Sequence, residues 1–228
     1  MTFIMFKRII KNFKFYLKKK VTYFKVFLFP KIPISNYFGF ERGDPIDRYY
    51  INNFIYENKN KIKGKILEIG DNRYSRNYTG YKKVIGIVPG KNILIYNLEK
   101  KPKKNIGKFD CIICTQVINY TFDFTSVIKN LHKLLNNGGS LLLTCSSTTR
   151  ISNYDKNRYG DFWRFTDISL KKILVKFFNK KKIKVETFGN VSVCSKFLYG
   201  LSTDELSFKE LNFKDKNYPL IICCVAKK

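Results

Sequence analysis

Acidic residues are scarce in this chain of 228 residues: 17 Asp and Glu stand against 44 Lys and Arg, a formal charge of +27. The lysines are spread through the sequence rather than gathered in one block, so most of them solvate the surface and nucleic acid is not the expected partner. Histidine is nearly absent. His132, the only one, flanks an apolar helical stripe and is expected at a boundary, without a catalytic role. No segment approaches the roughly 20 apolar residues that cross a bilayer. Lys7, Arg8, Lys11 and Lys14 interrupt any signal-peptide core, so a cytoplasmic protein is expected. The phosphate-cradling G-x-G-x-x-G pattern is missing too, which disfavours NAD and FAD and leaves room for a ligand without phosphates. Six cysteines in a chain of this length do not make a disulfide framework. Cys111 and Cys114 have C-x-x-C spacing, but they fall inside a strand pattern, where residues three apart point to opposite faces and cannot share a metal. Adjacent Cys223 and Cys224 are divided in the same way, and no metal site is expected.

What the chain does have is a short apolar run ending in an acid and a glycine, Lys65-Ile66-Leu67-Glu68-Ile69-Gly70-Asp71. A buried strand that stops at glycine lets the next loop pass close to a small ligand, because glycine has no Cβ. In open α/β sheets ligands sit outside the carboxyl ends of such strands. Taken alone, that strand end is also how an ordinary strand terminates. Further strand patterns cover 83–87, 93–96, 109–114, 140–145, 182–188 and 220–226. Helices are expected from Asp44-Pro45-Ile46-Asp47, with the acid as cap, then through Val127 to Leu135 with Asn137-Gly138-Gly139 as its stop, and from Asp167. The alternation predicts a mostly parallel sheet with helices on both faces. Residues 1–34 stand apart from a domain over 35–228. Phe6, Ile10, Phe13 and Leu17 share one helical face and Lys7, Lys11, Lys14 and Lys18 another. Such a basic amphipathic helix suits the surface of an anionic membrane, or packs as an accessory element.

In combination these motifs resemble class I S-adenosylmethionine-dependent methyltransferases. Leu67 to Asp71 resembles their first cofactor motif, Phe109 to Gln116 their fourth strand and its loop, and Leu134 to Leu143 their helix-to-strand junction. The blocks Arg42 to Tyr50, Gly160 to Thr166 and Phe197 to Leu201 look like a bacterial subgroup associated with sugar and surface-polysaccharide metabolism. The resemblance covers residues 36–228 and implies a Rossmann-like seven-stranded sheet with its last strand antiparallel. It also implies S-adenosylmethionine as cofactor and a small-molecule or glycan acceptor. Glu68, Gly70 and Asp71 would border the methionine part, and Thr115 and Gln116 would line the loop after strand four. Arg48 or Tyr49 would hold the carboxylate, for which a guanidinium fork is suited. The pattern is broken at two positions where the family commonly has acids: Val88 after strand two, and Asn97, near the adenine amine, after strand three.

Asp161, in a Gly/aromatic loop after strand five, is the candidate general base, or else a structural partner of Arg164. Tyr159, Trp163 and Tyr199 are candidates to stack on a sugar or aromatic acceptor, and Arg164 to meet an anion; packing is the plainer role for each. Methylation of a sugar hydroxyl is the expected reaction. The rivals are an RNA methyltransferase, favoured by charge but without an Asn-Pro-Pro-Tyr-like site, and a degenerate binding module, favoured by Val88 and Asn97.

Overall fold

The structure, a computed structural model, describes residues 31–78, 80–86, 94–95 and 97–228. The amphipathic pattern over residues 6–18 and Val88 lie outside the described residues. The chain divides between Ile34 and Ser35, and the domain from Ser35 to Lys228 carries everything that follows.

Among the described residues seven strands form one sheet: β1 (Ile66–Ile69), β2 (Lys82–Gly86), β3 (Leu94–Ile95), β4 (Phe109–Thr115), β5 (Leu135–Ser146), β6 (Ile183–Phe188) and β7 (Ile221–Lys227). Their order is β3-β2-β1-β4-β5-β7-β6. Six of them make the body of the sheet, and the expected count of seven is met only by including the two-residue edge strand β3. The β1–β2, β1–β4 and β4–β5 pairs are parallel, while β7 runs antiparallel to both β5 and β6.

Six α-helices accompany the sheet among the described residues: α1 (Ile46–Glu57), α2 (Phe124–Leu134), α3 (Asn153–Tyr159), α4 (Asp167–Leu174), α5 (Val191–Leu198) and α6 (Phe208–Asn212). The period-two alternation of the strands divides the core into two layers. Cys111, Ile113, Leu142, Cys223 and Val225 pack with Ile46, Tyr50, Ile51 and Phe54 of α1, and with Val193 and Phe197 of α5. Ile112, Cys114, Leu141, Leu143, Ile222 and Cys224 pack with Val127, Ile128 and Leu131 of α2, and with Leu170 and Leu174 of α4. Helices therefore cover both faces, as the alternation predicts. Cys111 and Cys114 do fall on opposite faces, as do Cys223 and Cys224. All six cysteines are free and buried, and burial pushes the Cys114 thiol up to about 12, far from thiolate chemistry.

Two local expectations are corrected. Asp44 does not cap α1: the N-cap is Pro45, with no side-chain cap bond, because the helix starts one residue later than an acid at 44 could serve. Asn137-Gly138-Gly139 does not stop α2, which ends at Leu134; β5 begins at once, and those residues lie in its irregular first turns beside a register shift opposite Phe109 to Cys111. Between β1 and β2 there is no α-helix, only a 3-10 turn at Ser75–Asn77. Twelve residues span that parallel crossover, the least that such a connection needs.

Candidate active site

The carboxyl ends of β1 and β4 are neighbours, with Ile69 paired to Cys114. Gly70 follows β1 with φ +110°, and a Cβ built there would meet no atom within 4 Å. The strand thus ends on a residue without a side chain where it opens onto space. Asp71 comes next and caps its own turn by accepting from Arg73 N at 2.9 Å.

Glu68 is 1 % exposed, on the sheet face that looks toward α1. Its two oxygens accept from the backbone N–H of Tyr74 at 3.0 Å and of Ser75 at 2.7 Å. Burial raises its carboxyl above the ordinary range, against the pull of those bonds. Glu68 therefore shapes the loop after β1, with each of its oxygens bonded to that loop.

Arg48, in the first turn of α1, donates to Tyr74 Oη at 3.0 Å. Its Nε is buried without a partner among the described residues. Burial raises the carboxyl of neighbouring Asp47 despite the Arg48 charge. One residue along the helix, Tyr49 turns away, and its hydroxyl is bonded to Asn212 of α6. Of the two carboxylate-holding candidates, only Arg48 faces the loop after β1.

Thr115 ends β4 half-buried, and Gln116 after it takes φ +55°, a conformation costly for a non-glycine residue. Its backbone N–H is held by Thr144 and its Oε1 accepts from Ser146 Oγ at 2.7 Å. Its Nε2 is buried and has no partner among the described residues. Buried polar atoms without partners are rare and mark places where something else supplies the bond. Arg48 Nε and Gln116 Nε2 are two of the four such atoms among the described residues. Asn97, after β3, spends its side-chain oxygen on Glu99 N at 2.8 Å, closing its own turn.

The acceptor-side candidates take structural work. Arg164 grips both oxygens of Asp161, at 2.5 and 2.9 Å, and Asp161 also accepts from Ser152 N. The Asp161 side chain is 2 % exposed. Arg164 further donates to the carbonyls of Thr149 and Arg150. The pair pins the loop after β5, so the structural alternative for Asp161 is the one observed. Trp163 donates to Phe122 O and packs edge-on against Phe124, turned into the core. Tyr199 caps the end of α5, where its carbonyl accepts from Ser35 N. Tyr159 lies with its ring 6.1 Å from that of Tyr120. His132 packs edge-on against Phe178, half-buried on α2, as a boundary residue does.

Two features escaped sequence reasoning. A cavity of about 400 Å³ is lined by Tyr37, Phe38, Phe40, Arg150, Ser152, Tyr154 and Asp155 among others. A larger groove of about 750 Å³ runs between Asn52, Asn53 and Tyr56 of α1 and the loop from Asp71 to Tyr78. The run Tyr37-Phe38-Gly39-Phe40 was a signal for the first; nothing in the pattern announced the second. Among the described residues no cluster of His, Cys, Asp or Glu has metal-site geometry, and no helix is long and apolar enough to cross a membrane.

A family profile described as a methyltransferase domain matches residues 36–186. The chain belongs to that family. It is a methyltransferase. The N-methyltransferase NodS from Bradyrhizobium japonicum WM9, solved with S-adenosylhomocysteine, is 13 % identical, with 82 % of this chain and 89 % of that one covered at a TM-score of 0.50. Haemonchus contortus phosphoethanolamine N-methyltransferase 2, solved with phosphomonomethylethanolamine and S-adenosylhomocysteine, is 11 % identical over 78 % of this chain and 52 % of that, at 0.51. The CMeT domain of citrinin polyketide synthase is 13 % identical over 80 % of this chain and 53 % of that, at 0.52. The chain spans about half the length of the last two. At such identities the likeness establishes the methyltransferase fold. No curated protein is significantly similar in sequence.

Proposed function

We propose that this methyltransferase uses S-adenosylmethionine and methylates a hydroxyl of a sugar or surface-glycan precursor. The observation that carries the donor assignment is the pair of buried, partnerless nitrogens, Arg48 Nε and Gln116 Nε2, beside the open φ +110° glycine at the end of β1. Such a set fits an amino-acid-bearing nucleoside: a guanidinium for its carboxylate, an amide for its polar groups and room where a Cβ would have stood. Asp71 and Thr115 extend the same rim. S-adenosylmethionine supplies, when bound, a methyl group already activated on a sulfonium.

What remains for the protein is alignment and removal of one proton from the acceptor oxygen. Asp161 is committed to Arg164, so Asp155 is the carboxylate left for that proton. Asp155 lines the acceptor-side cavity and engages one oxygen with Tyr120 Oη at 3.2 Å. The sugar acceptor is supported by the likeness of Arg42 to Tyr50 and Gly160 to Thr166 to the polysaccharide-linked subgroup, and by the aromatic and amide lining of that cavity.

Titration calorimetry with S-adenosylhomocysteine tests the donor assignment. Saturable binding in the micromolar range is expected, weakened at least tenfold by Arg48→Met. An absence of heat at millimolar ligand would remove the proposal.

A further inference from the structure

The cavity between residues 36–40 and residues 150–155 has a makeup of its own. Its walls are aromatic: Tyr37 is 73 % exposed and Tyr154 64 %, and Phe40 is exposed beside them. Rings left bare on a cavity wall are costly to keep in water and suit the apolar face of a ring-shaped ligand. Two guanidinium groups rest on those rings. Arg150 lies over Phe38 at 4.2 Å, and Arg158 lies over Tyr154 at 3.4 Å. The Nε of Arg150 is buried and unpartnered, while its terminal nitrogen bonds to Asn36 O. Asp155 is the acid in the lining, and one of its oxygens is already engaged by Tyr120.

The wall is held in place from behind. Arg164 binds the carbonyls of Thr149 and Arg150, and Asp161 takes the N–H of Ser152. On the other side Phe38 is fixed at φ +59° with its ring packed on Phe197 at 5.4 Å. A non-glycine residue persists in that conformation only where its surroundings over-determine it. One short segment ties this wall to the loop after β4: Tyr120, bonded to Asp155, lies four residues beyond Gln116.

We infer that this cavity is the acceptor pocket and that it selects a saccharide carrying a negatively charged group, carboxylate or phosphate, read by Arg150. The inference rests on the donor reading above and deepens it. The ring of the sugar stacks on Tyr154 and Tyr37, its hydroxyls meet Ser152 and the free oxygen of Asp155, and its anion completes the Arg150 guanidinium, which a carboxylate or phosphate matches in a bidentate fork.

Saturation-transfer NMR on the full chain with S-adenosylhomocysteine present tests it, using glucuronic acid, glucose 6-phosphate, glucose and benzoate as probes. Glucuronic acid, glucose 6-phosphate or both should bind at least tenfold more tightly than glucose, and which of the two leads tells carboxylate from phosphate. Arg150→Gln should erase that preference with S-adenosylhomocysteine affinity changed less than twofold. Tyr154→Ala, at an exposed position that does not threaten folding, should weaken every sugar several-fold. Equal binding of charged and neutral sugars, or a preference that survives Arg150→Gln, overturns the inference, as does benzoate binding without any sugar. If S-adenosylhomocysteine binds while the sugars fail, only the pocket assignment falls; if S-adenosylhomocysteine itself gives no binding, the donor reading falls and takes the pocket assignment with it.

Discussion

The two halves of the sheet are built to different standards. On the β4-β5-β7-β6 side, β5 and β7 pair without a break from Ser140–Lys227 to Ser146–Ile221. The helices there start on side-chain caps: Thr166 and Ser169 form a reciprocal box at α4, Asn190 caps α5 and Ser207 caps α6. On the β3-β2-β1 side the strands have two to five residues and a 3-10 turn replaces the helix between β1 and β2. α1, whose Arg48 faces the loop after β1, has no side-chain cap. The partnerless Arg48 Nε and Ser75 Oγ sit on this thin side, and Gln116 lies at the seam. Binding groups held on a lightly supported loop need a rigid scaffold beside them. The difference teaches where the free energy is placed: stability in one half, unsatisfied bonding capacity in the other.

The sharpest way to break the comparison is to attack the pin of the thick half. Asp161→Ala leaves Arg164 half-buried without its carboxylate and frees Ser152 N. Removing one partner of such a pair costs about 3 kcal/mol, and urea unfolding should show it. If stability is unchanged, Asp161 is not structural and its place as the candidate base returns. In the thin half, Glu68→Gln replaces an acceptor of two backbone N–H groups by a side chain with one acceptor. About 2 kcal/mol should be lost, together with S-adenosylhomocysteine affinity, since the loop of residues 70–78 loses its anchor. Gln116→Gly separates the two halves more finely. Relief of the φ +55° strain and loss of the Ser146 bond nearly offset, so stability should stay within about 1 kcal/mol. Affinity for S-adenosylhomocysteine should nevertheless fall about tenfold, because the free amide goes with the side chain. A stability loss with unchanged affinity would make Gln116 part of the scaffold.

The thick half was also the legible half. Its strands are short apolar runs and two of its helices carry apolar stripes ending in Leu134 and Leu174, so pattern located those within a few residues, while α3, α5 and α6 were not anticipated. Even the failed stop at Asn137-Gly138-Gly139 came from sound chemistry: Gly138 does take φ +79°, but within an irregular strand start, since pairing with β4 and Lys228 outweighed local turn preference. The candidate site was legible only where backbone geometry imposes residue type. Gly70 stands out because a strand end at φ +110° favours glycine. Arg164, Trp163 and Tyr49 are bonded within the protein, which their letters could not tell, because an arginine or aromatic side chain reads the same whether it holds a ligand or a neighbouring residue. Arg150 and Tyr154 were missed because the cavity is assembled from loops more than a hundred residues apart, and no local pattern encodes that meeting.

The smallest effect contrasts two carboxylates in adjacent strands. Glu68 is raised by burial, so the folded chain holds its proton more tightly than the unfolded chain does. Its contribution is complete below the unfolded value of about 4.3 and declines as pH climbs through the raised folded value. Asp110 has the opposite sign. Its carboxyl is lowered chiefly by Lys65 N–H, with help from the Asn136 amide. The stability it adds is present above about pH 3.9 and is lost as pH falls through its depressed value. Asp110→Asn should therefore narrow the gap in stability between pH 3 and pH 6 in paired urea titrations, whereas Glu68→Gln should widen it by removing the term that favours acid. The same slope in both variants would mean that neither carboxyl changes its proton affinity on folding, and the thin half would then owe its fragility to short strands alone.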